Sequence, residues 1–429
     1  MTAREVAFGV LNRCEKQKQY SNLALDGALK QNPLSEADRT LVTALVYGVL
    51  ERQLTLDHQI SALSSRPLSE ITPEVRTALR LGIYQLAFLD RVPDHAAVKE
   101  TVDLVNKKTA GFTNAILRSF LRQGKQLKYP AREEGLAPYL SVRYSVGEAL
   151  CDRFLERFGA EKTESMLAAF EKHPPLTLRV NTLKTTRRAL LERLRGEGYE
   201  AEPTSRAKNG IRIHGRAAVT SLPGFAEGHF FVQDEASQIC VDAVDARPQM
   251  RVLDTCACPG SKTFGMAIDM ENKGTLIACD LHASKLSLVK SGGERMGLSI
   301  LDVRERDARA AVTEWQTEAG QFDRILCDVP CSGFGVLAKK PELRYKDPAV
   351  SDGLPDIQLD ILRASFSMLK PGGRLVYSTC TVLPEENEEN LRRFLSEQPD
   401  ARLETAETFY PDTHGTDGFF VSALIKGDL

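Results

Sequence analysis

At 429 residues, 42% hydrophobic and 27% charged, the chain has the composition of a soluble globular protein with two or three domains. No apolar run reaches the length of a membrane span, and Met1-Thr2-Ala3-Arg4-Glu5 opens a mixed polar helix rather than a signal peptide. Nine scattered cysteines lack paired ligand spacing, which argues against a disulfide framework or a zinc site and for free thiols in a reducing, cytoplasmic compartment. The net charge of −2 is uneven: residues 1–130 carry 18 Lys+Arg against 13 Asp+Glu. Two readings of that excess stay open, a polyanionic partner and an ordinary solvated helical surface.

Residues 1–130 read as a helix bundle. Ser35 caps a helix whose Leu41, Val42, Leu45, Val46 and Val49 share a face, with Asp38 three residues on. Thr72-Pro73 starts another, with Val75, Leu79, Ile83 and Leu86 on one stripe. Asp94 opens a third, carrying Val98, Val102 and Val105, and Gly111 is expected to break it before the stripe Phe112, Ile116, Leu117, Phe120 and Leu121. The stretches Arg91–Val102 and Gly111–Arg118 resemble the RNA-binding helical domain of the antitermination factor NusB. His95 is then either an RNA contact or a plain helix-start residue, and Arg118 and Arg122 either phosphate contacts or solvated cations.

Residues 125–140 lack periodicity and read as a linker. Helix returns over 147–172, with Leu150, Phe154 and Phe158 on one face, until His173-Pro174-Pro175 stops it. A small α+β segment follows, with strands at Leu178–Asn181, Gly210–Ile213 and Phe230–Asp234 and a helix marked by Leu190, Leu191 and Leu194. Arg179 and Asn181 are expected on its exposed face, as RNA contacts or solvated groups. From Arg251 short apolar strands (Val252–Asp254, Thr275–Asp280, Phe322–Asp328, Arg374–Ser378) alternate with helical patterns near 282–296, 356–369 and 385–397. That is a doubly wound, mostly parallel α/β sheet. Gly418–Lys426 reads as a late strand, antiparallel to the rest.

The first of these strands runs into Cys256-Ala257-Cys258-Pro259-Gly260-Ser261-Lys262, a turn that brings backbone close to a ligand. It is neither a P-loop nor the three-glycine dinucleotide fingerprint. Asp280, Asp307 and Asp328 follow three successive strands. Three carboxylates there suit a nucleoside cofactor with a positive centre, although each alone is commonly a strand-end cap. Cys331, in Asp328-Val329-Pro330-Cys331-Ser332-Gly333, and Cys380, in Ser378-Thr379-Cys380-Thr381, also fall just past strand ends, where open α/β sheets bind ligands. The other reading of either thiol is a small buried hydrophobe, which is the reading adopted for Cys14, Cys151, Cys240 and Cys327.

These motifs resemble the RNA 5-methylcytosine methyltransferases, within them the RsmB (Sun/Fmu) group, which carries a NusB-like domain in front. Val232–Ser237, Lys340–Tyr345 and Pro384-Glu385-Glu386-Asn387 add to the likeness, which spans the chain. Cys258 and Ser261 stand where the group commonly has alanine and glycine, and Gly265 where many members keep histidine. The resemblance implies an all-α NusB-like bundle at 1–130, a linker and small α+β RNA-binding segment at 141–228, and a Rossmann-like methyltransferase domain at 229–429. It also implies S-adenosyl-L-methionine, bound by Cys256 to Lys262, Asp280, Asp307 and Asp328. Catalysis would fall to Cys380 as nucleophile, Cys331 in product release, and Asp328 and Lys262 at the base. Residue spacing alone does not separate the two thiols. The expected partner is single-stranded or looped small-subunit rRNA, bound by a monomer without metal. Lys339, Lys340 and Arg344 either line the RNA channel or form a solvated loop. Two rivals stand beside this reading: the same chemistry on tRNA, and a catalytically silent RNA-binding factor.

Overall fold

Helix boundaries follow local chemistry. The structure, a computed structural model, describes residues 1–17, 21–172, 174–215, 217–309 and 321–427. It divides into two units, Met1–Glu171 with Leu337–Pro348, and Lys172–Val336 with Ala349–Leu429.

The first unit is helical: α1 (Ala3–Gln17), α2 (Ser21–Gln31), α3 (Glu36–Glu51), α4 (Gln53–Leu63), α5 (Pro73–Phe88), α6 (Asp94–Val102), α7 (Lys107–Arg122), α8 (Leu136–Tyr144) and α9 (Glu148–Phe170). Ser35 caps α3 by accepting from the Asp38 amide at 3.1 Å, and Pro73 occupies the first turn of α5. Val42, Leu45, Val46, Val49, Val75, Leu79, Ile83, Leu86, Ile116, Leu117 and Phe120 form one core. Two expectations need correction. The break between α6 and α7 falls before Lys107, where the Asn106 side chain accepts from the amides of Lys108 and Thr109, and Gly111 lies inside α7. A good cap outweighs the roughly 1 kcal/mol that an internal glycine costs. The stretch read as linker to residue 140 already contains the start of α8. Helix α9 ends at Phe170, and His173 lies outside the described residues. His95, Arg118 and Arg122 are exposed.

Residues Leu337–Pro348 complete this unit. Arg344 is buried and donates to the carbonyls of Leu337 (3.2 Å), Tyr144 (3.0 Å) and Phe170 (2.6 Å). The Tyr345 hydroxyl bonds the Leu50 carbonyl, the Gln53 amide and Ser145. Neither reading of Arg344, channel or solvated loop, survives; Lys339 and Lys340 are exposed.

The second unit contains two sheets. The smaller is antiparallel, in the order β2-β3-β1-β4, from β1 (Leu176–Val180), β2 (Ala201–Pro203), β3 (Gly210–Ile213) and β4 (Phe230–Val232), with α10 (Arg187–Gly196) packing Leu190 and Leu194 on it. Arg179 and Asn181 are buried, contrary to both sequence readings. Arg179 pairs with Asp242 (3.2 Å) and Asp269 (2.8 Å), and Asn181 donates to the carbonyls of Gly228 and Met296. Strand alternation identifies a face but not what packs against it.

The larger sheet is ordered β10-β11-β9-β8-β5-β6-β7: β5 (Arg251–Asp254), β6 (Thr275–Asp280), β7 (Leu301–Glu305), β8 (Phe322–Asp328), β9 (Leu369–Thr379), β10 (Ala401–Phe409) and β11 (Phe419–Lys426). Strands β5 to β9 pair in parallel, and β11 runs antiparallel to β9 and β10. Alternate residues face opposite layers. Val252, Leu276, Leu326 and Val376 join α11 (Glu235–Val244), α12 (Ser261–Asp269) and α13 (Ala283–Met296). Leu253, Ile277, Ile325 and Leu375 join α14 (Leu354–Met368) and α15 (Glu388–Glu397).

Candidate active site

The carboxyl ends of β5, β6, β8 and β9 gather most of the residues singled out by sequence. Between β5 and α12, Gly260 has φ +113°, and a Cβ there would lie 2.6 Å from the Phe264 ring. Glycine is required at that position. Ser261 opens α12 in ordinary helical conformation, so replacing a second glycine costs nothing in backbone strain. Cys258 donates its amide to Asp280 Oδ2 at 3.3 Å, and His282 donates to Asp280 Oδ1 at 3.0 Å. Burial and Asp280 push the Cys258 thiol up to about 12. Gly265 packs under α11, where a Cβ would meet Val241 at 3.0 Å and the Arg179 guanidinium at 3.2 Å.

Lys262 reaches across to the end of β8. Its Nζ donates to Asp328 Oδ2 at 2.7 Å, and Ser378 Oγ donates to Asp328 Oδ1 at 2.8 Å. Burial alone would push this ammonium down, but Asp328 and the nearby Cys240 and Cys380 sulfurs hold it above its ordinary value. Its Nζ also lies 5.2 Å from the centre of the Phe419 ring. Asp254, at the end of β5, accepts from Thr263 Oγ1 at 2.7 Å through Oδ2, while Oδ1 is buried without a partner. Burial raises this carboxyl to about 7, against the Thr263 hydrogen bond. The sequence reading missed Asp254, whose position directly at a strand end was the available signal. Asp307 follows β7, and both its oxygens accept from Arg309. That pairing holds its carboxyl below the usual range.

The two thiols meet. Cys331 Sγ and Cys380 Sγ are 3.2 Å apart, and the Cys380 amide donates to Cys331 Sγ at 3.3 Å. Both are half-buried. The hydrogen bond with Cys380, burial and the Glu386 carboxylate push the Cys331 thiol well above its ordinary value. Gly335 permits the loop crossing: its amide donates to the Cys380 carbonyl at 3.0 Å, and a Cβ there would overlap the Gly418 carbonyl. Cys151, Cys240 and Cys327 are buried, with thiols pushed up to about 12 by desolvation, as fits inert core residues. Cys14 is half-buried. Among the described residues no His/Cys/Asp/Glu group fits a metal ion, and no helix is long and apolar enough to cross a membrane.

This sheet, with one antiparallel strand at β11 and polar groups at its carboxyl edge, defines a Rossmann-like methyltransferase. A methyltransferase homolog from Pyrococcus horikoshii superposes with TM-score 0.60 at 29% identity, over 67% of this chain and 97% of that one. The crystal structure of PH0851 does so with TM-score 0.83 at 26% identity, over 99% of both. Residues 241–425 match the family description "16S rRNA methyltransferase RsmB/F", residues 1–122 the NusB family, and residues 148–220 the ferredoxin-like domain of RsmF/B-like methyltransferases. The probable ribosomal RNA small subunit methyltransferase B of Bacillus subtilis is 36% identical over 99% of each chain. That of Synechocystis is also 36% identical, over 99% of this chain and 100% of its own. The chain belongs to the RsmB family of RNA methyltransferases, with a NusB-like helical domain, a ferredoxin-like segment and a Rossmann-like methyltransferase fold.

Proposed function

We propose that the chain moves a methyl group from S-adenosyl-L-methionine to carbon 5 of a cytosine in small-subunit rRNA, with Cys380 as nucleophile and Cys331 in product release. The observation that carries this reading is the 3.2 Å approach of the two sulfurs beside the Lys262–Asp328 pair. The substrate follows from the names of the relatives.

The cofactor's charge suits the strand ends. The unpartnered Asp254 Oδ1 and the Asp280 carboxylate offer acceptors to a cationic nucleoside, and Gly260 lets the turn approach it. Once bound, S-adenosyl-L-methionine supplies an electrophilic methyl. Cysteine is needed because cytosine carbon 5 is a poor nucleophile. The Cys380 thiolate adds to carbon 6, which makes carbon 5 enamine-like and able to take the methyl. The carbon-5 proton then leaves to a base, and the carbon–sulfur bond breaks to return Cys380. The hydrogen bond with Cys380, burial and the Glu386 carboxylate hold the Cys331 thiol above its ordinary value, and Lys262 lies within electrostatic reach of Cys380, as suits a cysteine that attacks as thiolate. Asp328 and Lys262 orient the ring. The base must leave its stack to enter, so the target is single-stranded or looped.

Labelled-methyl transfer into undermethylated small-subunit RNA tests the activity, with bisulfite sequencing reading the position. Cys380→Ala abolishes turnover and covalent adducts with 5-fluorocytosine RNA, whereas Cys331→Ala accumulates protein on RNA. Adducts persisting in Cys380→Ala would reverse the two roles.

A further inference from the structure

Resting on the thiol roles above, we propose that Glu386 and Asn387 are positioning residues, one for each cysteine, that together hold the two sulfurs in register. Neither touches the reacting atoms. Both side chains are buried, at 1% and 0% exposure, in the short turn between β9 and α15.

Each grips the neighbours of one thiol. Glu386 Oε2 accepts from the Ser332 amide at 2.9 Å and from Gln358 Nε2 at 2.8 Å, and Gln358 Nε2 also donates to the Pro330 carbonyl at 3.0 Å. Pro330 and Ser332 are the residues on either side of Cys331. Asn387 Oδ1 accepts from Thr379 Oγ1 at 2.5 Å, and its Nδ2 donates to the Thr381 carbonyl at 3.1 Å. Thr379 and Thr381 are the residues on either side of Cys380. Ser332 Oγ closes the circuit by donating to Thr381 Oγ1 at 2.9 Å. The Tyr377 hydroxyl fixes the turn by donating to the Glu386 carbonyl. A packing role would be met by apolar side chains at lower cost: burial raises the Glu386 carboxyl, and its Oε1 is buried without a partner. The adjacency of the two residues also makes one rigid turn the shared reference for two loops that are far apart in sequence.

The test uses the full-length chain with Glu386→Ala, Glu386→Gln and Asn387→Ala. Geometry is read by diamide, an azo oxidant. It takes two electrons and two protons from the Cys331 and Cys380 thiols, becoming the hydrazine as the S–S bond forms, and intact mass reports the loss of two hydrogens. Folding of the methyltransferase unit is read by S-adenosylhomocysteine affinity, and catalysis by kcat and KM on undermethylated small-subunit RNA.

The alanine variants should lose roughly 100-fold in kcat, the scale of a misplacement near 1 Å, with KM nearly unchanged. They should form the Cys331–Cys380 bond markedly more slowly while binding S-adenosylhomocysteine as the parent does. Glu386→Gln, which keeps an acceptor for Ser332 and Gln358, should recover most of the loss. If an alanine variant does not fold, Thr379→Val, which removes the donor to Asn387, is read in its place with the same expectation. Parent-like cross-linking in the folded variants would overturn the proposal, whether or not kcat fell. Failure of the thiol roles would look different: Cys331→Ala would trap no RNA, yet cross-linking would still slow in the 386 and 387 variants.

Discussion

Two buried cations of the second unit make opposite uses of the same pairing. Arg179 lies inside the small sheet's packing, 1% exposed, with Asp242, Asp269 and the Gln238 carbonyl accepting from it. Lys262 is also largely buried, with Asp328 accepting at 2.7 Å. Arg179 is enclosed by helices, and its charge is spent on joining them. Lys262 stands at the carboxyl edge of a parallel sheet, and its carboxylate partner adjoins the strand end that carries Cys380. Burial and pairing therefore do not by themselves separate a structural cation from a candidate catalytic one; position relative to the strand ends is what sets Lys262 apart.

Substitution should separate the two. Arg179→Met should cost roughly 3–5 kcal/mol in urea unfolding, because it strands two carboxylates, and turnover per folded molecule should stay near that of the parent. An equal loss of turnover would break the contrast. Lys262→Met should do the reverse, losing roughly 10²- to 10³-fold in kcat/KM with a smaller change in stability. Asp254 sharpens the picture from the carboxylate side. Its carboxyl is held at about 7, above the ordinary 3.8, so between about pH 4 and 7 the folded chain keeps a proton that the unfolded chain has lost. Its contribution to stability therefore falls as pH rises through that window, by at most about 1.4 kcal/mol for each pH unit. Asp254→Asn should remove that slope, as followed by the unfolding midpoint across the window. The smallest effect lies outside both sites: Ser35→Ala should cost about 1 kcal/mol through the lost α3 cap, and leave turnover per folded molecule unchanged.

Sequence carried the strand ends well because their signals are local. Apolar runs closed by Asp254, Asp280 and Asp328 need no tertiary information, and the two cysteines follow from the same pattern. Short or exposed strands were harder. β2 is three residues long, and β10, Ala401–Phe409, is largely exposed and so lacks the apolar alternation that marks a strand. Arg179, Asn181 and Arg344 were misread for one reason: their partners are backbone carbonyls and carboxylates far away in sequence, and no periodicity reports them. Glu386 and Asn387 stood in a quoted motif without a role, since their hydrogen bonds to the thiol loops exist only once β8 and β9 are side by side.

The seat of Arg344 bears on how the polypeptide is made. The carbonyls of Tyr144 and Phe170 leave the ribosome long before the guanidinium that satisfies them. Until Leu337–Pro348 has been synthesised, those two carbonyls lack the guanidinium that donates to them in the finished unit. A fragment cut after α9 would never gain that donor. Its instability would then report a missing donor, even with every residue of the bundle intact.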